Sequence, residues 1–273
     1  MSFGKHNEER EYDELVNWDA RLTREAPFFR RLFTEHDVAS VADVGAGSAR
    51  HAIMYRSWGL DVTAIDPSDD MLEMARENAA AAGSDVRIVK GGFGDVHELL
   101  GGTVDALTCT GNALPHVRSL EGLRDALDDF SASLRPGGVL VLHYLNHARL
   151  MSRRVRTMDP VFRETPSGDK FFLRLLDYAE EGILFDFVTL VRDAAVREAE
   201  HTIQSWPATL EDDPAGGWSL RCRRSLHFAL PAERIERELV RAGFGDVVLY
   251  GAHDGRALDI ENDESLIVVA TRR

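Results

Sequence analysis

The residues with the most chemical content fall in three short stretches. They are the loop Asp43-Val-Gly45-Ala46-Gly47-Ser48, the acid Asp66, and the run Thr110-Gly-Asn112-Ala-Leu-Pro-His116. Glycines in a strand-to-helix turn let the backbone approach a ligand closely at a helix N-terminus. An acid at the end of the next strand is placed to accept hydrogen bonds from a pair of ribose hydroxyls. An amide and an imidazole after a later strand can orient a reactant and take a proton from it. The chemistry suggested is binding of a nucleoside-containing cofactor beside a group that is being transferred.

The elements that must position these residues are legible as alternating patterns. Apolar runs predict strands at 40–44, 61–65, 85–89, 104–109 and 138–145. Helical spacing predicts helices at 48–58, 68–82 and 119–134, the last carrying Leu120, Leu123, Leu127, Phe130 and Leu134. Residues 8–35 read as a charged helical segment with Leu15, Trp18, Leu22 and Phe29 inward. Strands alternating with helices imply a parallel α/β sheet covered on both faces. The alternation breaks near residue 150. Strand-like runs then follow at 171–176, 183–191, 199–206 and 218–230, and the α/β pattern resumes with a helix at 231–243 and strands at 246–251 and 265–271. The expected organisation is a seven-stranded Rossmann-like domain from residues 1–150 and 229–273, with 8–35 as a helical lid. Residues 151–228 form an inserted antiparallel sheet, serving as a lid, a substrate subdomain or a dimer contact.

The glycine loop discriminates between nucleotides. A dinucleotide fingerprint needs a third glycine, and Arg50 stands there instead. No Gly-Lys-Ser/Thr follows, which excludes a triphosphate cradle. An acid two residues before the first glycine suits a ligand with an amino-acid tail and no pyrophosphate, with loop amides and carbonyls facing the tail. These features favour S-adenosylmethionine over a nicotinamide dinucleotide. Ser68 fits the role of helix cap, which leaves Asp66 for the ligand. Met71 lies either against adenine or in the core.

These residues, with Leu134-Arg-Pro-Gly-Gly138 leading into a strand, resemble the class I S-adenosylmethionine-dependent methyltransferases. Within that class, Gly111-Asn112 and His116 resemble the Gly-Asn-x-x-x-His segment of the glycine and sarcosine N-methyltransferases. The N-terminal helix and the inserted sheet resemble the same group. The resemblance implies a methyltransferase that uses S-adenosyl-L-methionine. Its cofactor contacts would come from Trp18, Arg24, Asp43, Gly45, Ala46, Gly47, Asp66, Met71, the Phe93 amide and Thr110. Arg24 would hold the methionine carboxylate, with Arg21 the next candidate.

Two positions depart from that pattern. Gly92 stands where the family carries an acid or amide for adenine. Leu145 stands ten residues after Arg135, where glycine methyltransferases carry an arginine for the substrate carboxylate. An apolar side chain cannot hold a carboxylate, so glycine is not the expected acceptor. The expected reaction is in-line N- or O-methylation of a small molecule, with Asn112 orienting the acceptor. His116 serves as base or caps its turn. A cofactor-binding module without catalysis, or an oxidoreductase, remains the alternative.

Composition sets outer bounds. Net charge is −14, with 46 acids against 32 bases, which argues against nucleic acid or an anionic membrane as partner. The N-terminus lacks a signal-peptide core, and no apolar run approaches the roughly 20 residues of a membrane span. Cys109 and Cys222 give neither a disulfide framework nor metal-ligand spacing. The expectation is a cytoplasmic monomer or homodimer without a metal.

Overall fold

The computed structural model describes residues 13–165, 168–193 and 218–273. Its contacts divide the chain into two units, residues 1–153 with 228–273, and residues 154–227.

The first unit is built on seven strands: β1 (Ser40–Val44), β2 (Asp61–Asp66), β3 (Arg87–Lys90), β4 (Val104–Cys109), β5 (Leu134–Leu145), β10 (Phe244–Tyr250) and β11 (Ser265–Arg272). Their order is β10-β11-β5-β4-β1-β2-β3. β11 runs antiparallel to both neighbours, and the pairs from β5 to β3 are parallel. Central strands buried on both faces read as continuous apolar runs, which is why they were legible.

Helices cover both faces. They are α1 (Trp18–Glu35), α2 (Arg50–Arg56), α3 (Asp69–Ala81), α4 (Val96–Leu100), α5 (Leu120–Ser133), α6 (His147–Arg153) and α7 (Ala232–Arg241). One face packs Phe28, Phe29 and Phe33 of α1 with Tyr55 of α2 and Ala75 of α3. The other packs Leu123, Leu127 and Phe130 of α5 with Ile235 and Leu239 of α7. The sheet order reverses between β1 and β4, and in open α/β sheets ligands bind at the carboxyl ends of the strands flanking such a switch. All three chemically informative stretches lie at those ends.

The second unit holds an antiparallel sheet, β6 (Thr157–Thr165), β7 (Gly168–Tyr178), β8 (Gly182–Asp193) and β9 (Trp218–Phe228), in that order. Phe172, Leu176, Ile183 and Phe185 are buried in it. β6 was not expected from the sequence. The run expected at 199–206 and residues 8–12 of the expected N-terminal helix lie outside the described residues. No helix among the described residues is long and apolar enough to cross a membrane.

Candidate active site

The glycine turn is held by left-handed backbone. Gly45 has φ +69° and Gly47 φ +55°, and Ala49, the N-cap of α2, has φ +59°. A Cβ on Gly45 would lie 2.6 Å from the Ala113 Cβ, so the loop after β1 touches the turn after β4 where only glycine fits. The loop amides are committed within the protein. Gly45 and Ala46 N–H donate to the Ile65 carbonyl at 2.9 and 3.1 Å, and Gly47 N–H donates to Asp66 at 2.8 Å. These bonds tie the loop to the end of β2.

Asp66 is 7% exposed. One carboxylate oxygen accepts from Gly47 N–H and the other from Ser68 N–H at 2.9 Å. Ser68 caps α3 as expected, accepting from Met71 N–H at 3.2 Å. Asp66 is therefore not idle before a ligand arrives. A buried carboxylate needs donors, and the loop supplies them. Asp43 lies fully beneath the loop, where its carboxylate accepts from the Thr108 hydroxyl at 2.8 Å. Burial pushes its pKa up against the opposing influence of His51 and the Thr108 bond.

A cavity of about 370 Å³, partly open to solvent, opens above this loop. Asp13, Trp18, Arg21, Gly45, Ala46, Gly47, Ser48, His51, Met71, Thr110 and Gly111 line it. It brings together six of the expected cofactor residues: Trp18, Gly45, Ala46, Gly47, Met71 and Thr110.

Arg24 is the clearest difference. It is exposed on α1, and Arg21 lines the cavity in its place. The reason is helical phase. At about 100° per residue, Arg21 stands about 40° from the buried Glu25 around the axis of α1, while Arg24 stands about 100° from it. Phe93 also lies outside the lining, its ring edge-on to Phe130 at 5.9 Å between centroids. Asp43 and Asp66 support the cavity floor without lining it.

Sequence reasoning missed what holds Arg21. Glu25 is 1% exposed and accepts from Arg21 Nε at 2.9 Å and pairs with His51 Nε2 at 2.7 Å. Burial alone would raise the Glu25 pKa, but the His51 bond and the Arg21 charge outweigh it and hold the carboxyl well below its usual range. One buried anion thus fixes two cavity residues, one on α1 and one on α2. A charged residue on an otherwise apolar helical stripe was the available signal.

Asn112 and His116 sit after β4 but not in the cavity lining. Asn112 takes the left-handed conformation at φ +71°. Its side-chain oxygen accepts from Leu145 N–H and its own N–H donates to the His143 carbonyl, both at 3.1 Å, tying the turn to the end of β5. His116 ends the short 3-10 turn Leu114–His116 and its side chain is exposed.

The cavity's donors suit the tail of S-adenosylmethionine. The Trp18 indole N–H is buried and has no hydrogen-bond partner among the described residues, and the Arg21 guanidinium lies at 5.1 Å from the same ring. A carboxylate there can accept from the indole N–H beside the Arg21 charge. Residues 41–138 match a family model described as a methyltransferase domain. That stretch is therefore similar to a methyltransferase domain. The chain is 34% identical over 140 residues to a glycine/sarcosine N-methyltransferase of Parasynechococcus marenigrum (strain WH8102), covering 51% of this chain and 50% of the relative. The corresponding enzyme of Aphanothece halophytica is 35% identical over 136 residues, covering 50% and 51%. The chain thus spans about half the length of these curated relatives. The methyltransferase fold extends further than that identity. An S-adenosylmethionine-dependent methyltransferase structure from Clostridium acetobutylicum ATCC 824 aligns at TM-score 0.73 and 14% identity, covering 96% of both chains. An amino pentose methyltransferase from Micromonospora echinaspora, determined with S-adenosylmethionine bound, aligns at TM-score 0.67 and 20% identity over 100% of this chain and 99% of the other.

Proposed function

We propose that this protein transfers the methyl group of S-adenosyl-L-methionine to an amine of a small molecule. The observation that carries the reading is the cavity above the glycine loop, with Trp18 and Arg21 presenting donors beside Met71. The N-methyltransferase relatives and the amino pentose enzyme support a small amine acceptor. When bound, the cofactor supplies an electrophilic methyl group on a sulfonium. The chain's own part is to bind, align and desolvate, and alignment can contribute roughly 7–11 kcal/mol in favourable cases.

In this reading Trp18 N–H and Arg21 hold the methionine carboxylate, and Gly45, Ala46 and Gly47 form the floor beneath the tail. Asp66 exchanges part of its loop bonding for the ribose hydroxyls, and Met71 covers adenine. Asp43 and Thr110 set the shape of the loop and the turn opposite it. Asn112 fixes the turn that faces the acceptor. His116 accepts the proton lost by an ammonium or hydroxyl acceptor. Leu145, half-buried at the end of β5, favours an acceptor without a carboxylate at that point. The protein is proposed to act in the cytoplasm, as a monomer or homodimer.

The test is thermal unfolding with S-adenosylhomocysteine, with NADH in parallel. Ligand at about 100 times its Kd stabilises by roughly 2.7 kcal/mol. A shift with S-adenosylhomocysteine alone supports the reading and leads to a panel of amines read by mass spectrometry for a methyl adduct. A shift with NADH alone overturns it.

A further inference from the structure

The buried anion Glu25 does more than hold Arg21 and His51. Its carboxylate also lies near two histidines from distant parts of the chain. One is His143, near the end of β5. The other is His253, in the loop after β10. One donor atom from each of Glu25, His143 and His253 lies within 4.8 Å of the other two. His253 Nδ1 is 3.8 Å from a Glu25 carboxylate oxygen, and the two imidazole rings meet edge-on with centroids 4.8 Å apart.

We propose that Glu25, His143 and His253 form a binding site for a divalent first-row transition-metal ion such as Zn²⁺. Two imidazoles and one carboxylate are a recurring donor set for such ions, with remaining positions open to water. The two imidazoles have unmet bonding capacity. His143 Nδ1 and His253 Nε2 are buried with no hydrogen-bond partner among the described residues. Orphaned buried polar atoms are uncommon in proteins and mark a place where a partner belongs.

The protonation states agree with the geometry. Burial lowers the His143 pKa well below its ordinary value, and burial lowers that of His253 to about 4. Both rings are therefore neutral at physiological pH, the form that ligates metal. Glu25 is held ionised.

Bonds of 2.0–2.1 Å in a tetrahedral arrangement need donors about 3.3 Å apart. Binding therefore draws the three side chains together by up to about 1.5 Å. Arg21 and His51, already bonded to Glu25, become the outer partners that orient the ligating carboxylate. The ion joins α1 to β5 and to the loop after β10, which makes it a clasp on the helix that carries Trp18 and Arg21. The site does not depend on the methyl-transfer reading.

The test uses the full chain, freed of metal with a chelator and titrated with Co²⁺ and Zn²⁺ alone. The proposal predicts one ion per chain and a visible d–d absorption with Co²⁺. X-ray absorption at the zinc edge then shows nitrogen and oxygen ligands that include two imidazoles. Glu25→Gln and His253→Gln weaken binding at least tenfold, and Zn²⁺ raises the melting temperature of wild type but not of these variants. No d–d band and no heat at millimolar metal overturns the proposal. Binding that survives in folded variants, or a zinc edge without two imidazoles, also overturns it. The wild-type spectrum decides the matter even where a variant does not fold.

Discussion

Replacing Gly45 with alanine separates two costs that the structure places at one atom. The residue has φ +69°, and a left-handed conformation costs an alanine about 1–2 kcal/mol. The new Cβ also meets the Ala113 Cβ at 2.6 Å, well inside the 3.5–4.0 Å of ordinary carbon contact. Neither atom belongs to a flexible side chain, so the backbone of one turn must move by about an ångström. Overpacking of this kind costs about 1–3 kcal/mol more. Gly47 is the internal control. It shares the left-handed backbone, at φ +55°, but its added Cβ lies 3.7 Å from the Met71 sulfur, an ordinary contact. Gly47→Ala therefore loses only the conformational part, about 1–2 kcal/mol. Urea unfolding of the two variants should differ by about 1–3 kcal/mol, with Gly45→Ala the weaker. Gly45→Ala should also lower affinity for S-adenosylhomocysteine, because it displaces the turn carrying Thr110 and Gly111. Equal stability of the two variants would refute the claim that the β1 and β4 turns are locked together at this atom.

Other consequences follow from particular side chains. Asp66→Ala should weaken S-adenosylhomocysteine binding at least tenfold, since charge-assisted bonds contribute about 1.5–3 kcal/mol each; calorimetry showing unchanged affinity would remove Asp66 from the ribose site. His116→Ala should lower kcat by roughly 10²–10⁴-fold with little change in cofactor affinity, and turnover that stays flat from about pH 6 to 9 in wild type would rule it out as the base. His147 is fully buried, and its Nδ1 accepts from Leu230 N–H at 3.0 Å. Burial lowers its pKa to about 4 from 6.5. A folded pKa below the unfolded one stabilises fully above about pH 6.5 and loses that contribution, about 3 kcal/mol, as pH falls toward 4. His147→Asn keeps an acceptor without the titration, so its stability should fall less steeply over that window in urea unfolding at stepped pH.

The α/β frame was legible because its central strands are apolar throughout and its helices keep a clear periodicity. β6 was not. It is an edge strand with alternating exposure, a proline at position 160 and a register shift between Met158 and Val161, all of which dilute the strand signal. α6 was missed because only His147 and Leu150 of its seven residues are buried. At the site, the glycine loop was readable from local spacing, whereas Trp18 entered through the family resemblance and Met71 was left between cofactor and core. The choice of Arg21 over Arg24 depended on the exact phase of α1, which single-residue uncertainty in a helix start is enough to scramble. The Glu25, His143 and His253 cluster left no trace in spacing, because more than a hundred residues separate each from the next and only tertiary packing brings them together.

The proposed function places the cofactor's amino-acid tail in the cavity beside Trp18 and Arg21. Calorimetric titration of S-adenosylhomocysteine into wild type, Arg21→Ala and Arg24→Ala tests it most directly. Wild type should bind saturably, Arg21→Ala at least tenfold more weakly, and Arg24→Ala within about 0.5 kcal/mol of wild type, as for an ordinary surface position. Loss of binding on removing Arg24 with Arg21→Ala unaffected, or no binding to wild type at millimolar ligand, would contradict it.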